Sequence, residues 1–414
     1  MVDLNRFTVW FKGWGRNAKI LVATEPFWSI PMSWVFFYRS IFLRKAIGLT
    51  EVEIGTLSSI YTAIMIFFPI IGGYVADRFG RKKSFMILDS LTWLLALTVW
   101  LLSRDIIHAL IAYIIEGCTS IVYPIWECLL VEDTEPRYRS GIYAYVSIAY
   151  TTGMMMMPIA GYIIALYDID IGCRILFTIA IASLSFMYII RWIYLREPEV
   201  SFRVRRERVL SSFKGYVEVL RVIIRERVLL ILILLSIMIT TYYSSTLYTP
   251  LYLVDKMGVG LTAGEASLLP FSSSITSLPL LLIIIPRISS KTGYVKALSV
   301  GYLSGFIATL TLLSSRSIYG VLATGILFGL YSAVSYSISR TFLTNEVEYI
   351  DDRYRAKVLS ITTTLSSIVN IATPVVMGYI YSIHPKLFVV TLSIVMSICF
   401  ILSMVLKIHV DRAS

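Results

Sequence analysis

Long apolar runs fill most of the chain, broken by short clusters of charge, Gly or Pro. Residues 228–240 read VLLILILLSIMIT, and 387–406 read LFVVTLSIVMSICFILSMVL. A hydrocarbon core about 30 Å thick takes about 20 residues of helix, and a helix satisfies its own backbone where no water can. The breaks predict spans near 18–43, 52–75, 84–103, 106–131, 140–167 and 172–194, then 228–254, 263–286, 294–314, 317–343, 356–383 and 387–407. The expectation is an all-α membrane protein of twelve transmembrane helices in two pseudo-symmetric six-helix bundles, 1–194 and 228–414. Between them, 195–227 is the one long polar connection. Its Val209, Leu210, Phe213, Val217, Leu220 and Ile224 recur at helical spacing among Arg and Lys, which predicts an amphipathic helix against the membrane or the bundles. A solvated tether is the alternative reading.

Composition agrees. Of 414 residues, 57% are hydrophobic and 15% charged, and mean hydropathy is +0.77, too apolar for a soluble chain of this length. The net charge of +11 is unevenly spread: with a cytoplasmic N-terminus, 29 Lys and Arg fall on the inner side and 8 on the outer. Cationic loops resist translocation, so both termini are expected in the cytoplasm of a multi-pass cell-membrane protein. The basic inner face then meets anionic lipid, and no nucleic-acid partner is needed. The opening stretch has no apolar core ahead of a small-residue cleavage site, so the first span is expected to be retained. Cys118, Cys128, Cys173 and Cys399 are scattered, and His108, His384 and His409 lie at span ends or in the tail, giving no metal, disulfide or triad pattern. No glycine-rich loop ends in Gly-Lys-Ser/Thr. No cofactor, no metal and no enzyme activity is expected.

The halves carry matching fragments. PRYRSGI at 136–142 pairs with DRYRAKV at 352–358, where Tyr138 and Tyr354 lie 216 positions apart. PIAGYII at 158–164 pairs with PVVMGYIY at 374–381, and DRFGRKK at 77–83 has a faded counterpart in SKTGYVK at 290–296. Three matches in one order imply duplication. Gly73 lets helices approach, Gly80 lets the chain reverse, and Asp77 can cap a helix N-terminus.

The set Gly73, Asp77, Arg78, Gly80, Arg81 and Lys82, between spans two and three of twelve, resembles the signature loop of the major facilitator superfamily. All six characteristic positions are filled. The resemblance implies that Asp77 caps the eleventh helix, reinforced by Arg353 and Arg355, and that Arg81 pairs with Glu132 or Asp133. Together these would latch the halves when the pocket opens outward. The alternative is a loop that only orients insertion.

Ionisable groups at the midplane mark substrate or ion pathways. Glu116 is the deepest candidate. At 4-3-4 spacing Glu116, Ser120, Tyr123 and Glu127 share one α-helical face, with Tyr113 nearby. Glu116 is a candidate proton carrier or counter-charge; a structural hydrogen bond to a neighbouring helix is the alternative. Glu25 either lines the inner cavity or sits at a helix interface beside Arg or Lys. Asp89 is expected at an interface, and Arg39 at the outer vestibule or snorkelling outward. Tyr243, Tyr331 and Asn370 supply polar groups in the second half. Proton-coupled drug exporters of the superfamily carry Arg-x-x-Gln-Gly in the fourth span, whereas here Tyr113-Ile-Ile-Glu116-Gly117 stands. The fifth-span antiporter pattern keeps only Gly153, Pro158 and Gly161. The expected function is secondary active transport by alternating access: proton-coupled efflux of small amphiphilic or weakly basic compounds by a monomer. Alternatives are proton-coupled uptake of a sugar, nucleoside or organic acid, and a non-transporting receptor or scaffold.

Overall fold

The computed structural model describes residues 13–135, 138–198, 219, 221–288, 290–351 and 355–413. The expected amphipathic linker helix falls mainly on 199–218, outside the described residues. Among the described residues the chain is helical throughout, with no strand. Eleven stretches are long and apolar enough to cross a membrane. One of them, Gly141–Tyr194, runs for 54 residues, about 80 Å of helix and more than two bilayer cores. Its backbone breaks at Asp168 (φ 65, ψ −175), which divides it into the expected fifth and sixth spans and makes twelve crossings.

The chain divides into two compact units, Met1–Leu49 with Thr56–Arg206, and Thr50–Gly55 with Glu207–Ser414. In the first unit the first span, Arg16–Phe42, continues through a π-helical turn at Leu43–Ile47 and stops at Gly48 (φ 85). It holds Pro26 and Pro31. Pro31 has no N–H to offer the Phe27 carbonyl, and Ser183 on the sixth span donates to that carbonyl instead, at 2.7 Å. The second span, Glu51–Phe79, meets the third, Arg81–Leu102, at Gly80. The fourth span opens at the Asp105 cap, whose carboxylate accepts from the His108 N–H at 2.9 Å. That bond and the adjacent imidazole hold the exposed Asp105 carboxyl below the usual range.

The fourth span is not one α-helix. Ile106–Cys118 gives way to a 3-10 stretch at Thr119–Val122 before Tyr123–Val131. Each 3-10 residue turns about 20° further than an α residue, so four of them rotate the second α-helical segment by about 80° relative to the first. The shared face expected for Glu116, Ser120, Tyr123 and Glu127 is thereby broken: Glu116 is 1% exposed and Tyr123 60%.

In the second unit the seventh span runs from Arg227 to Val254 through a 3-10 turn at Thr246–Tyr248. The eighth, Leu268–Pro279, passes into a π-helical turn at Leu280–Ile284. Spans nine to twelve are Lys291–Ser314, Ile318–Asp351, Arg355–Ile383 and Pro385–Ala413. Large apolar side chains such as Leu91, Ile189, Ile283 and Ile401 stay exposed, as lipid-facing positions should.

Asp168 is the one described non-glycine residue with positive φ, and its carboxylate caps the sixth span through the Ile171 N–H at 3.2 Å. Asp168→Ala keeps the left-handed backbone and loses the cap, so it should destabilise by about 1–2 kcal/mol. Asp168→Gly should be nearer neutral, because glycine adopts that backbone freely. Thermal unfolding of the two purified variants in detergent compares them directly.

Candidate functional site

The turn between the second and third spans sits in a network of helix-end hydrogen bonds within the first unit. Gly80 has φ 87, and a Cβ there would come 3.2 Å from the Glu197 carboxylate. That carboxylate accepts from the backbone N–H groups of Arg81 at 2.5 Å and Lys82 at 2.9 Å. A negative charge thus caps the positive N-terminus of the third span. The Arg81 guanidinium pairs with Glu132, one of the two acids expected to meet it. Asp133, the other, instead accepts from the Asn17 N–H at 3.0 Å and so caps the first span. Thr134 accepts from the Gly15 N–H at 2.9 Å. The Asn17 side chain exchanges two 2.9 Å hydrogen bonds with the backbone of Arg196, just past the sixth span. Spans one, three, four and six are thereby stitched together at one end. The surroundings of Gly73, the side chains of Asp77 and Arg355, and all of Arg353 lie outside the described residues. Close approach is seen at Gly72, where a Cβ would lie 1.9 Å from the Ile121 carbonyl oxygen. Arg78 is exposed, with its guanidinium 5.4 Å from the Phe79 ring.

Sequence reasoning missed Glu197. It sits in the polar run Arg196-Glu197-Pro198 directly after a span, where a carboxylate can cap a helix end, and that position was its only signal. The second unit repeats part of the network: Lys291, opening the ninth span, pairs with Glu346, near the end of the tenth, at 2.9 Å. Lys291 is the first residue of the ninth span as Arg81 is of the third, although the matching fragments set it opposite Arg78.

Deeper in the first unit, Glu116 accepts from Arg39 at 2.9 Å, a second Arg39 nitrogen lies 2.8 Å from its other oxygen, and the Trp100 indole donates at 2.9 Å. The guanidinium stacks 4.8 Å from the Trp100 ring and 5.3 Å from that of Tyr113. Arg39 is 5% exposed, which corrects its expected outward or snorkelling position: the bidentate acid and the aromatic faces neutralise it inside the bundle. Glu116 therefore spans helices in the manner of the structural alternative, its charge balanced. Ser120 donates to the Gly117 carbonyl at 2.9 Å, within its own helix.

Glu25 lies at a helix interface. Its carboxylate meets Arg191 of the sixth span at 3.1 Å, and Arg191 Nε donates to Thr24 Oγ1 at 2.9 Å. Asp89 is close by on the third span: the Tyr188 hydroxyl donates to its carbonyl at 3.1 Å, and Phe85, one turn away, lies 5.9 Å under the Arg191 guanidinium. Among the described residues the buried charged side chains are Glu25, Arg39, Asp89, Glu116, Arg191 and Glu346, five of them in the first unit.

The second unit is aromatic and hydroxylic instead. Tyr331 packs at ring-centroid distances of 4.9 Å from Tyr242, 6.1 Å from Tyr302 and 6.4 Å from Tyr243. Tyr243 and Ser335 hydroxyls are 3.3 Å apart, and Ser244 hydrogen-bonds the Asn370 carbonyl oxygen. The Tyr331 hydroxyl is buried without a hydrogen-bond partner among the described residues, a cost of about 1–3 kcal/mol.

Twelve apolar helices in two units, each closing an acid–base pair at the equivalent helix ends, define a multi-pass membrane transporter. Residues 28–374 match the family model of the Major Facilitator Superfamily, and the chain belongs to that superfamily. It is 25% identical over 265 residues to a Na(+), Li(+), K(+)/H(+) antiporter of Planococcus maritimus, covering 59% of this chain and 59% of that one. It is 22% identical over 321 residues to multidrug resistance protein 2 of Bacillus subtilis (strain 168), covering 76% of each. The nucleoside transporter NupG superposes with a TM-score of 0.69 at 11% identity, over 94% of this chain and 98% of that one. A bacterial homolog of the human lysosomal transporter Spinster gives 0.67 at 15% identity, over 94% and 96%. These two establish the shared fold.

Removing one partner of a buried ion pair strands the other, at about 3–5 kcal/mol, whereas replacing both with apolar groups of similar size is often neutral. Glu116→Ala should therefore unfold at markedly lower temperature than the double variant Arg39→Met/Glu116→Leu. A double-mutant cycle in thermal or denaturant unfolding measures the coupling. Equal losses would show that the pair is not the unit that matters.

Proposed function

We propose that this protein is a secondary active transporter that exports small amphiphilic or weakly basic organic compounds in exchange for protons, by alternating access, with both termini in the cytoplasm. The observation that carries the proposal is the division of chemistry between the units. Among the described residues, buried acids and arginines occupy the first, and a tyrosine-rich interior, whose one buried charge is Glu346 at a helix end, occupies the second. Ionisable groups within the membrane suit a coupling ion. Aromatic faces and hydroxyls suit a flat organic cation or weak base, which the tyrosine rings attract and the unpaired Tyr331 hydroxyl can hydrogen-bond. Two of the relatives, a cation/proton antiporter and a multidrug resistance protein, support export. The excess of Lys and Arg in the segments on one side of the spans supports the orientation. Arg81–Glu132 and Asp77 act as the conformational latch, with the Glu197 cap holding the turn in place.

Reconstituted into vesicles with an acidic lumen, the protein should accumulate an aromatic monocation such as ethidium, and an ionophore that collapses the pH gradient should abolish the uptake. Accumulation that instead requires an acidic exterior would replace export with symport. In the same vesicles Asp77→Asn should cut transport at least tenfold at unchanged membrane insertion. Wild-type rates in that variant would remove the latch role.

A further inference from the structure

Counting buried charge in the first unit leaves a remainder. Arg39 and Glu116 cancel as a bidentate pair. The second cluster does not cancel: Glu25 pairs with Arg191 at 3.1 Å, while Asp89, buried beside them, makes no ion pair of its own among the described residues. Arg191 is 2% exposed and both acids 8%. The charged groups acting on Asp89 are Arg191 and Glu25, with Trp93 and Tyr188 beside its carboxyl. Among the described residues Arg191 is the one cation acting on either Glu25 or Asp89. Counting about 1.5 Å per residue, Glu25 lies about 14 Å and Asp89 about 12 Å from the stitched end, well inside the hydrocarbon region. An unpaired carboxylate at that depth costs several kcal/mol, and such a group neutralises by taking a proton.

We propose that Glu25, Asp89 and Arg191 form the proton-carrying site of this transporter, with one exchangeable proton held between the two carboxyls. The proposal rests on the proton-coupled function and assigns its residues. A proton from water on one side forms an O–H bond on one carboxylate while Arg191 neutralises the other. In the alternate state the O–H bond breaks, the proton leaves to water on the opposite side, and the cluster returns to one cation between two anions. The first span is built to respond. Pro26 follows Glu25 directly and leaves the Val22 carbonyl without its helical donor, so the helix is weakest where it presents Glu25 to Arg191. Glu116 is held differently: the two nitrogens of the Arg39 fork and the Trp100 indole N–H occupy its carboxylate, leaving no second acid to share.

Infrared spectroscopy of the full-length protein in lipid tests this without any transported compound. Free carboxyls titrate near about 4, so a protonated-carboxyl C=O band should be present at pH 6 and fade as the pH is raised. Asp89→Asn should abolish that band, because a single acid remains to balance Arg191. Glu25→Gln should do the same, and the Arg39→Met/Glu116→Leu double variant should retain it. A wild-type spectrum without the band, or a band that survives both single variants, overturns the proposal. In acid-lumen vesicles Asp89→Asn should lose at least tenfold of the pH-driven ethidium accumulation. If no compound moves even with the wild type, the transport reading fails while the infrared result still decides the site.

Discussion

Charge in a low-dielectric interior must be met by opposite charge, and that requirement arranges the first unit. Arg39 ties the first span to the fourth through Glu116, and Arg191 ties the sixth to the first through Glu25. Neither tie is needed for the helices to form, since apolar composition alone makes them stable in lipid. What the ion pairs supply is register. Between two apolar helices many rotations and shifts are nearly equivalent, and a single stranded charge makes all but one of them costly.

The ends of the helices obey a related rule with different partners. The first N–H groups of each helix have no acceptor within it, and at a membrane surface they compete for carboxylates, hydroxyls and water. Asp133, Thr134 and Glu197 settle that competition at the stitched end. The basic turn at 80–83 is therefore more than a topological signal. Arg81 is held twice, through its guanidinium by Glu132 and through its backbone by Glu197. Any rearrangement of the turn has to break a charge-assisted cap as well as an ion pair, which favours two discrete states over continuous drift.

Hydropathy made the spans legible to within a few residues, because the bilayer sets their length. It did not reveal the 3-10 stretch at Thr119–Val122, since 3-10 and α segments differ in winding and hardly in composition, and so the face expected for Tyr123 was wrong. Arg39 was misplaced for another reason. A lone arginine near a span end has two solutions, snorkelling or pairing, and the choice depends on which helix lies beside it. The inventory carried a signal all the same: Arg39 and Glu116 are deep charges of opposite sign in the same half. Glu197 left almost none, because capping is decided by where a loop passes.

The repeat sharpens what the interior charges are for. If the halves descend from one ancestor, features required by the scaffold should persist in both and features required by one task should persist in one. An acid–base pair across the same helix ends occurs in both, as Arg81–Glu132 and as Lys291–Glu346, though not from matching sequence positions. The other buried charges do not: where the first unit has Glu25, Asp89, Glu116, Arg39 and Arg191, the described interior of the second has mainly tyrosines, serines and threonines. Among the described residues, the second bundle stands with no buried charge beyond Glu346 of its end pair. Charges that are dispensable for the fold, costly to bury and confined to one half need a reason outside stability, and for the cluster that fails to balance, carrying an ion across is the reason its chemistry suits.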